Sequence, residues 1–300
     1  SVALEAARRR NEPLEHLLLS GLPGLGKTTL AHIVAGELGV DLKVTSGPAL
    51  EKTGDLVGML TSLKHGDVLF IDEIHRLPRV VEEYLYPAME DLALDIVIDQ
   101  GPAARSVRLS LERFTLIGAT TREGLLTAPF RSRFGLLEKL EPYPTDDLVR
   151  ILARAASLLG LEIDDDALAL VASRARGTPR IANRLLRRVR DLAEVRGAPL
   201  VTAPIAEEAL EQLGIDQAGL EETDRKVLRC LHDQGGGPIG LKTIAAAVGE
   251  SEDTLETVYE PYLIVLGFVR KTPRGRQISA RGLLHLGVEV GDGGGQSSLF

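Results

Sequence analysis

The chain has 300 residues, 44% hydrophobic and 26% charged, with a formal net charge of -8. That length supports two or three domains with a sizeable core, and the acidic balance argues against wholesale electrostatic capture of nucleic acid while leaving room for a local basic patch. No apolar run approaches the ~18 residues of a membrane span, and no signal peptide opens the chain. Its single cysteine, Cys230, excludes an internal disulfide, fits a reducing cytoplasm and reads as a buried, inert thiol in an apolar helix. Ser1 stands before a predicted helix over 2–10 with no methionine, so an N-terminal segment is expected to precede this numbering.

Up to Tyr143 the pattern alternates short strands and helices. Strands are predicted at 17–19, 42–45, 68–71 and 114–117, and helices at 28–38 and 55–63. Short buried strands between helices imply an α/β fold, a mostly parallel sheet covered on both faces. Residues 94–109 break the rhythm: two alternating runs flank Gly101-Pro102, which reads as a β-hairpin. The prolines at 142 and 144 mark a boundary. Helical patterns at 146–159, 164–175, 179–195 and 203–213 then form an all-helical domain. From about residue 218, helices at 223–233, 241–248 and 251–263 precede two short strands around Pro273-Arg274-Gly275, the order of a winged helix-turn-helix. The glycine-rich stretch 291–300 reads as a flexible tail. The expected domains are therefore 1–143, 144–217 and 218–290, followed by that tail.

The first strand runs into Gly21-Leu22-Pro23-Gly24-Leu25-Gly26-Lys27-Thr28-Thr29, the P-loop spacing G-x-x-x-x-G-K-[ST] between a strand and a helix. Glycines let successive amides converge on phosphate oxygens, and the following helix points its positive end at them. Lys27 adds charge for the terminal phosphates and the Thr28 hydroxyl can hold Mg²⁺, so the chain is expected to bind a nucleoside triphosphate. The strand at 68–71 delivers Asp72 and Glu73 at its end: alone they would read as two solvated acids, but downstream of a P-loop they suit Mg²⁺ orientation and activation of a water. Thr120-Thr121 ends the next strand, where a hydroxyl would sit between that acid pair and the γ-phosphate, or simply end a threonine-rich strand. Arg131 and Arg133 in RSRFG are either surface charges or a source of positive charge for a transferring phosphoryl group. Arg180, in the first turn of a predicted helix, opposes the helix dipole, which suggests an anion before it.

The strings SGLPGLGKTTLA, LFIDEIHRL, YPAMEDLALDIVI, DQGPAAR, LIGATTR, SRFG, RGTPRIANRLLRRVRD, EPYLI and TPRGR resemble the RuvB family of bacterial Holliday-junction branch-migration motors, over about residues 5–288. That resemblance implies an AAA+ ATPase core, a helical lid and a winged-helix domain, with ATP and Mg²⁺ used by a cytoplasmic homo-hexameric ring working on DNA with RuvA and RuvC. It implies nucleotide contacts from Gly24, Gly26, Lys27, Thr28 and Thr29, with Asp72 and Glu73 as the second nucleotide motif and Thr121 as first sensor. Arg133 would be an arginine finger acting on a neighbouring subunit, Arg180 the second sensor, and Tyr143 a residue beside the nucleotide at the hinge. Glu90 and Asp91 would approach the nucleotide at the subunit interface. Leu22 stands where the family usually has proline, which alters turn stiffness and leaves the phosphate-binding amides in place.

The family also assigns the 95–109 hairpin to RuvA, through exposed Ile96, Val97 or Ile98; the competing expectation is that this side packs on the domain's own core. For DNA, the helix at 251–263 carries Glu252, Asp253, Glu256 and Glu260 and no lysine or arginine, which opposes insertion among phosphates. The bases gather at the wing instead, in Arg270, Lys271, Arg274 and Arg276, as phosphate-tracking contacts without base readout or as a solvated basic turn. The terminal QSSLF resembles short sliding-clamp-binding peptides and equally suits a plain tail. Two other functions compete with the motor. A clamp-loader-type ATPase would end in a helical collar, and a nucleotide-gated DNA-binding regulator would need a basic recognition helix.

Overall fold

The computed structural model describes residues 2–98, 105–235 and 237–288 and divides into two compact units, Ser1–Glu141 and Pro142–Phe300. The first runs α1 (Val2–Arg10), β1 (Leu17–Gly21), α2 (Lys27–Leu38), β2 (Leu42–Ser46), α3 (Thr53–Thr61), β3 (Val68–Asp72) and α4 (Arg79–Glu90). An antiparallel pair follows, β4 (Ala93–Ile98) with β5 (Arg105–Ser110), then β6 (Thr115–Thr120), α5 (Ala128–Arg131) and β7 (Leu136–Leu140). The Gly101-Pro102 turn and the side chains of Val97 and Ile98 lie outside the described residues.

Five of these strands form one parallel sheet in the order β2-β3-β6-β1-β7. Side chains alternate across it, as the period of two requires. Leu18, Leu69, Ile71 and Leu116 face a core shared with α3 and α4, while Leu17, Leu19, Val68, Phe70 and Ile117 face a second core shared with α1 and α2. Both faces are therefore apolar, which is why the central strands read as continuous hydrophobic runs.

β7 carries no such signature: it is an edge strand whose Leu137, Glu138 and Lys139 are all exposed. Helix α4 keeps an apolar face through Val81, Leu85, Ala88 and Met89 although Pro87 lies inside it. Ile96 of the hairpin is half-buried against the α3/α4 core, and its strand partner Val107 is the exposed member of the pair.

The second unit opens with α6 (Thr145–Leu158), α7 (Asp165–Ser173), α8 (Pro179–Arg196) and α9 (Ala203–Gln212) around one core. A second core gathers α10 (Glu222–Asp233), α11 (Leu241–Val248), α12 (Glu252–Thr254), a π-helical Leu255–Tyr259, α13 (Glu260–Val265), the wing strands β8 (Val269–Thr272) and β9 (Gly275–Ile278), and α14 (Ala280–His285). The predicted helix at 251–263 thus contains a π turn immediately before Pro261, a residue with no amide to continue the α-helical ladder. Cys230 is half-buried rather than fully buried, and desolvation pushes its thiol up, which keeps it protonated. No helix among the described residues is long and apolar enough to cross a membrane.

The two cores of this unit are fastened at the segment between α9 and α10. Arg176, in the left-handed region at φ 55, donates from Nε to Gly219 O at 2.8 Å and from Nη2 to Asp224 Oδ2 at 2.5 Å, under the Tyr262 ring. Arg174 reaches Gln217 O at 2.6 Å, and Tyr262 Oη donates to Ala218 O at 2.7 Å. Asp224 has 0% of its side chain exposed and Arg176 has 8%. Burial raises the Asp224 carboxyl above its ordinary value; the Arg176 charge and the Glu221 amide pull the other way, and the Glu221 carboxylate adds to the rise. A carboxyl raised in the folded state contributes stability below its unfolded pKa and loses it as pH rises through the folded one. Removing the arginine should therefore expose a pH-dependent deficit. Arg176→Ala is expected to cost about 3–5 kcal/mol near neutral pH, shrinking as the pH is lowered from there and Asp224 takes up a proton. Urea denaturation of the full chain at falling pH measures it, and a deficit independent of pH would contradict the account.

Candidate functional site

Parallel strands bring their C-terminal ends to one edge, and the order β3-β6-β1 sets the end of β6 between the P-loop and the acid pair. The register aligns Ser20 with Thr120, so β1 and β6 end together. Gly24 and Gly26 adopt φ of +83 and +93, a region that side chains rarely enter. Gly26 caps α2 with no side-chain hydrogen bond, and no acid lies in the first turn of the helix. No side chain caps this helix start, the arrangement in which backbone amides receive an anion.

Lys27 is only 7% exposed, and its Nζ donates to Gly21 O and Leu22 O, each at 2.9 Å. A buried ammonium needs acceptors, and these two come from the carbonyls of the loop itself. Thr28 is half-buried and Thr29 exposed in the same turn.

Asp72 ends β3 and accepts the Glu73 amide on Oδ1 at 2.9 Å, leaving Oδ2 without a hydrogen bond among the described residues. Glu73 sits at φ 50, and its carboxylate lies 3.5 Å from Arg76. Left-handed backbone at a non-glycine residue costs of the order of 1 kcal/mol and turns the side chain off the strand direction. Gly47, just after β2, makes room for this turn: a Cβ there would stand 2.5 Å from Glu73 O and 3.1 Å from the Leu77 amide nitrogen. Beside the half-buried Thr121, Thr120 is buried; its hydroxyl accepts the Arg122 amide and lies 2.9 Å from His75 Nδ1, joining the end of β6 to the segment after Glu73. Sequence reasoning passed over Gly47 and His75, and it placed a hydroxyl at Thr120-Thr121 without separating the buried Thr120 from its neighbour. The only signal for the histidine was its place two residues after Glu73.

Arg133 follows α5, outside this cluster. Its guanidinium lies over the Tyr86 ring at 4.2 Å and donates to Glu90 Oε2 at 3.2 Å, whereas the exposed Arg131 lies 3.6 Å from Glu123. Two residues expected at a subunit interface, Glu90 and Arg133, are thus paired within one chain. Asp91 is 3.9 Å from Arg108 of the hairpin.

In the second unit, the Tyr143 amide donates to Gly177 O at 2.8 Å, bringing Tyr143 beside the turn that leads to Arg180. Arg180 is exposed, with no ion pair or hydrogen bond among the described residues. At the wing, Arg276 departs from expectation. Its guanidinium makes a two-pronged contact with Glu260, at 2.9 and 3.0 Å, and the two side chains are only 14% and 8% exposed. That charge is already spent inside the fold, and part of the acidity of the preceding helix is spent with it. Lys271 lies 3.2 Å from Glu256, and Arg270 and Arg274 are exposed with no ion pair among the described residues.

Three family models cover almost the whole chain: the Holliday junction DNA helicase RuvB P-loop domain over residues 1–140, the RuvB AAA lid domain over 143–216 and the RuvB C-terminal winged helix domain over 217–287. The chain is 58% identical over 286 residues to the Holliday junction branch migration complex subunit RuvB of Methanoregula boonei, covering 95% of this chain and 85% of that protein. It is also 58% identical over 288 residues to the subunit of the same name from Kosmotoga olearia, covering 96% and 84%. Among solved structures, the Thermotoga maritima RuvB Holliday junction branch migration motor superposes with a TM-score of 0.88 at 51% identity, covering 96% of this chain and 92% of that one.

The Gly47 contact yields a test of the acid pair's placement. Gly47→Ala presses the new Cβ on the Glu73 carbonyl oxygen, and a misplacement near 1 Å costs on the order of 10²-fold in turnover. ATP turnover is expected to fall by about that factor while nucleotide affinity, which rests on the β1 loop, stays unchanged. Equal turnover in the variant would remove Gly47 from the account.

Proposed function

Because this chain belongs to the RuvB family, we propose that it is an ATP-hydrolysing motor that drives branch migration of four-way DNA junctions together with RuvA. The observation that carries the reading is the sheet edge, where uncapped helix amides, a buried lysine, a hydroxyl-bearing strand end and a strained acid pair converge on the space a triphosphate would fill.

In this reading Gly24, Gly26, Lys27 and Thr29 hold the phosphates, and Lys27 exchanges the carbonyls of Gly21 and Leu22 for phosphate oxygens. Glu73 accepts a proton from the attacking water, Thr121 orients that water or the γ-phosphate, and Arg133 faces the nucleotide of the next subunit. Thr28 and the uncommitted Oδ2 of Asp72 are the oxygen donors that suit Mg²⁺, which when bound would neutralise phosphate charge. Tyr143 and Arg180, in the second unit, are assigned to the nucleotide by the family resemblance, and an arginine with no ion pair among the described residues in the first turn of α8 suits an anion. A finger acting in trans requires a ring of copies, which we take as a homo-hexamer, acting in the cytoplasm. The β4–β5 hairpin, with Val107 exposed, is the surface for RuvA. A contact with RuvC rests on the family resemblance alone. The 291–300 segment, where a sliding-clamp contact would reside, lies outside the described residues.

The decisive experiment is ATP-dependent dissociation of a synthetic four-way junction by the purified chain with RuvA, abolished in Lys27→Ala. ATP turnover with no strand movement in the presence of RuvA would overturn the motor and favour a clamp-loader or switch.

DNA contact divides the wing arginines. Arg274→Ala should weaken binding uniformly across sequences and reduce the salt slope by about 1 without changing stability. Arg276→Ala should instead leave Glu260 buried and unpaired, destabilising the winged helix by about 3 kcal/mol. Salt-dependent DNA titration and urea denaturation distinguish the two, and an equal loss of affinity at equal stability would refute the division.

A further inference from the structure

Arg133 is held far more closely than a surface arginine. Its guanidinium has one face on the Tyr86 ring, one edge on Pro129 O at 2.5 Å and another on Glu90 at 3.2 Å, while its buried Nε has no hydrogen-bond partner among the described residues. Arg133 is 18% exposed but Glu90 is 57% exposed, so water screens that ion pair. The carbonyl and the ring are the durable contacts, and a planar cation on an aromatic face has its plane fixed.

The ring itself is fixed from two sides. Glu82, Tyr86 and Glu90 recur every fourth residue on α4 and share one face of it. Tyr86 Oη donates to Glu82 Oε1, which also accepts Thr127 Oγ1 at 2.7 Å. Thr127 is the N-cap of α5 and accepts the Phe130 amide; the Phe130 ring packs on Tyr86 at 5.7 Å. Tyr86 is thereby tied both to α4 and to the start of the short helix that Arg133 follows. Burial and the Glu82 contact raise its phenol above the ordinary value, which keeps the hydroxyl a donor.

We propose that Tyr86 is the positioning residue for Arg133, its ring fixing the plane and reach of the guanidinium so that the charge can pass from Glu90 to the terminal phosphate of a nucleotide bound by a second copy of this chain. This rests on the reading of Arg133 as a residue acting in trans. The ring contact persists through the exchange, while the screened Glu90 contact is the one replaced. Neither residue type nor spacing announces this role, because Tyr86 lies 47 positions before Arg133.

The test is steady-state ATP turnover by the full chain on four-way junction DNA with RuvA. Tyr86→Leu should lower kcat by about 10- to 100-fold with ATP affinity unchanged, the scale of a misplaced catalytic group. Tyr86→Phe, which keeps the ring, should restore most of it. Mixing Tyr86→Leu chains with Lys27→Ala chains should recover turnover, because the intact P-loop of one then meets the correctly held arginine of the other. Tyr86→Gln serves the same test if the leucine variant fails to assemble. An Arg133→Ala control mixed in the same way separates the two claims. If Arg133→Ala shows no recovery despite co-assembly, the trans reading fails. If it recovers but Tyr86→Leu turns over normally, or recovers nothing on mixing, Tyr86 has no positioning role. Equal losses in the phenylalanine and leucine variants would also overturn the proposal.

Discussion

The nucleotide site depends on a buried ammonium that must always have acceptors. Lys27 is held by Gly21 O and Leu22 O, and the same loop leads into the uncapped start of α2. Desolvating a lysine in this way is tolerable only where oxygens meet the ammonium at hydrogen-bonding geometry. The glycines at 24 and 26 supply that geometry by taking left-handed φ, and the strand order supplies the remaining groups at the same edge. The sheet edge thus rests on one constraint: a loop that satisfies a buried cation with its own carbonyls.

Charge in this protein is spent in pairs, and the pairs decide which bases remain for a ligand. Arg176 and Arg180 stand four residues apart, yet one is buried on Asp224 and the other is exposed with no ion pair among the described residues. Arg274 and Arg276 divide in the same way, as Glu260 takes the second. Buried pairs of this kind contribute little net stability, because desolvation offsets most of the attraction, but removing one partner is costly. Their effect is to fix geometry. Glu260 aligns the wing on α13, and Asp224 aligns the turn after α7 on α10.

That pairing marks the limit of what could be read from the sequence. The P-loop, the acid pair and the threonine-ended strand are contiguous strings whose spacing carries their geometry, so they were legible together with the alternating core. The hairpin, the helical domain and the winged helix also followed from local periodicity. β7 escaped because an edge strand with exposed Leu137, Glu138 and Lys139 has no apolar face to announce it, and α4 because Pro87 argues against a helix although the apolar spacing around it fits one. Gly47, Tyr86 and the Glu260–Arg276 contact were invisible for another reason: each acts on a residue distant in the chain or on a neighbouring element. Counting four acids on the helix before the wing overstated its negative charge, since Glu260 and Glu256 already face the bases of the wing.

The second unit shows how a change near one arginine can be felt at the wing. Arg180 opens α8, and the turn before it is bound on one side by the Tyr143 amide at Gly177 O and on the other by Arg176 at Gly219 O and Asp224. Asp216 extends the clamp: its Oδ1 accepts the Ala218 and Leu220 amides, while its Oδ2 meets His285 of α14 at 2.9 Å. The segment joining the two cores is therefore no hinge. Its backbone polar groups are satisfied by side chains from both cores, which ties the joint on both sides. The Arg180 turn is thereby linked to α10 by fixed polar contacts, and α10 to the wing by the core it shares with β8 and β9.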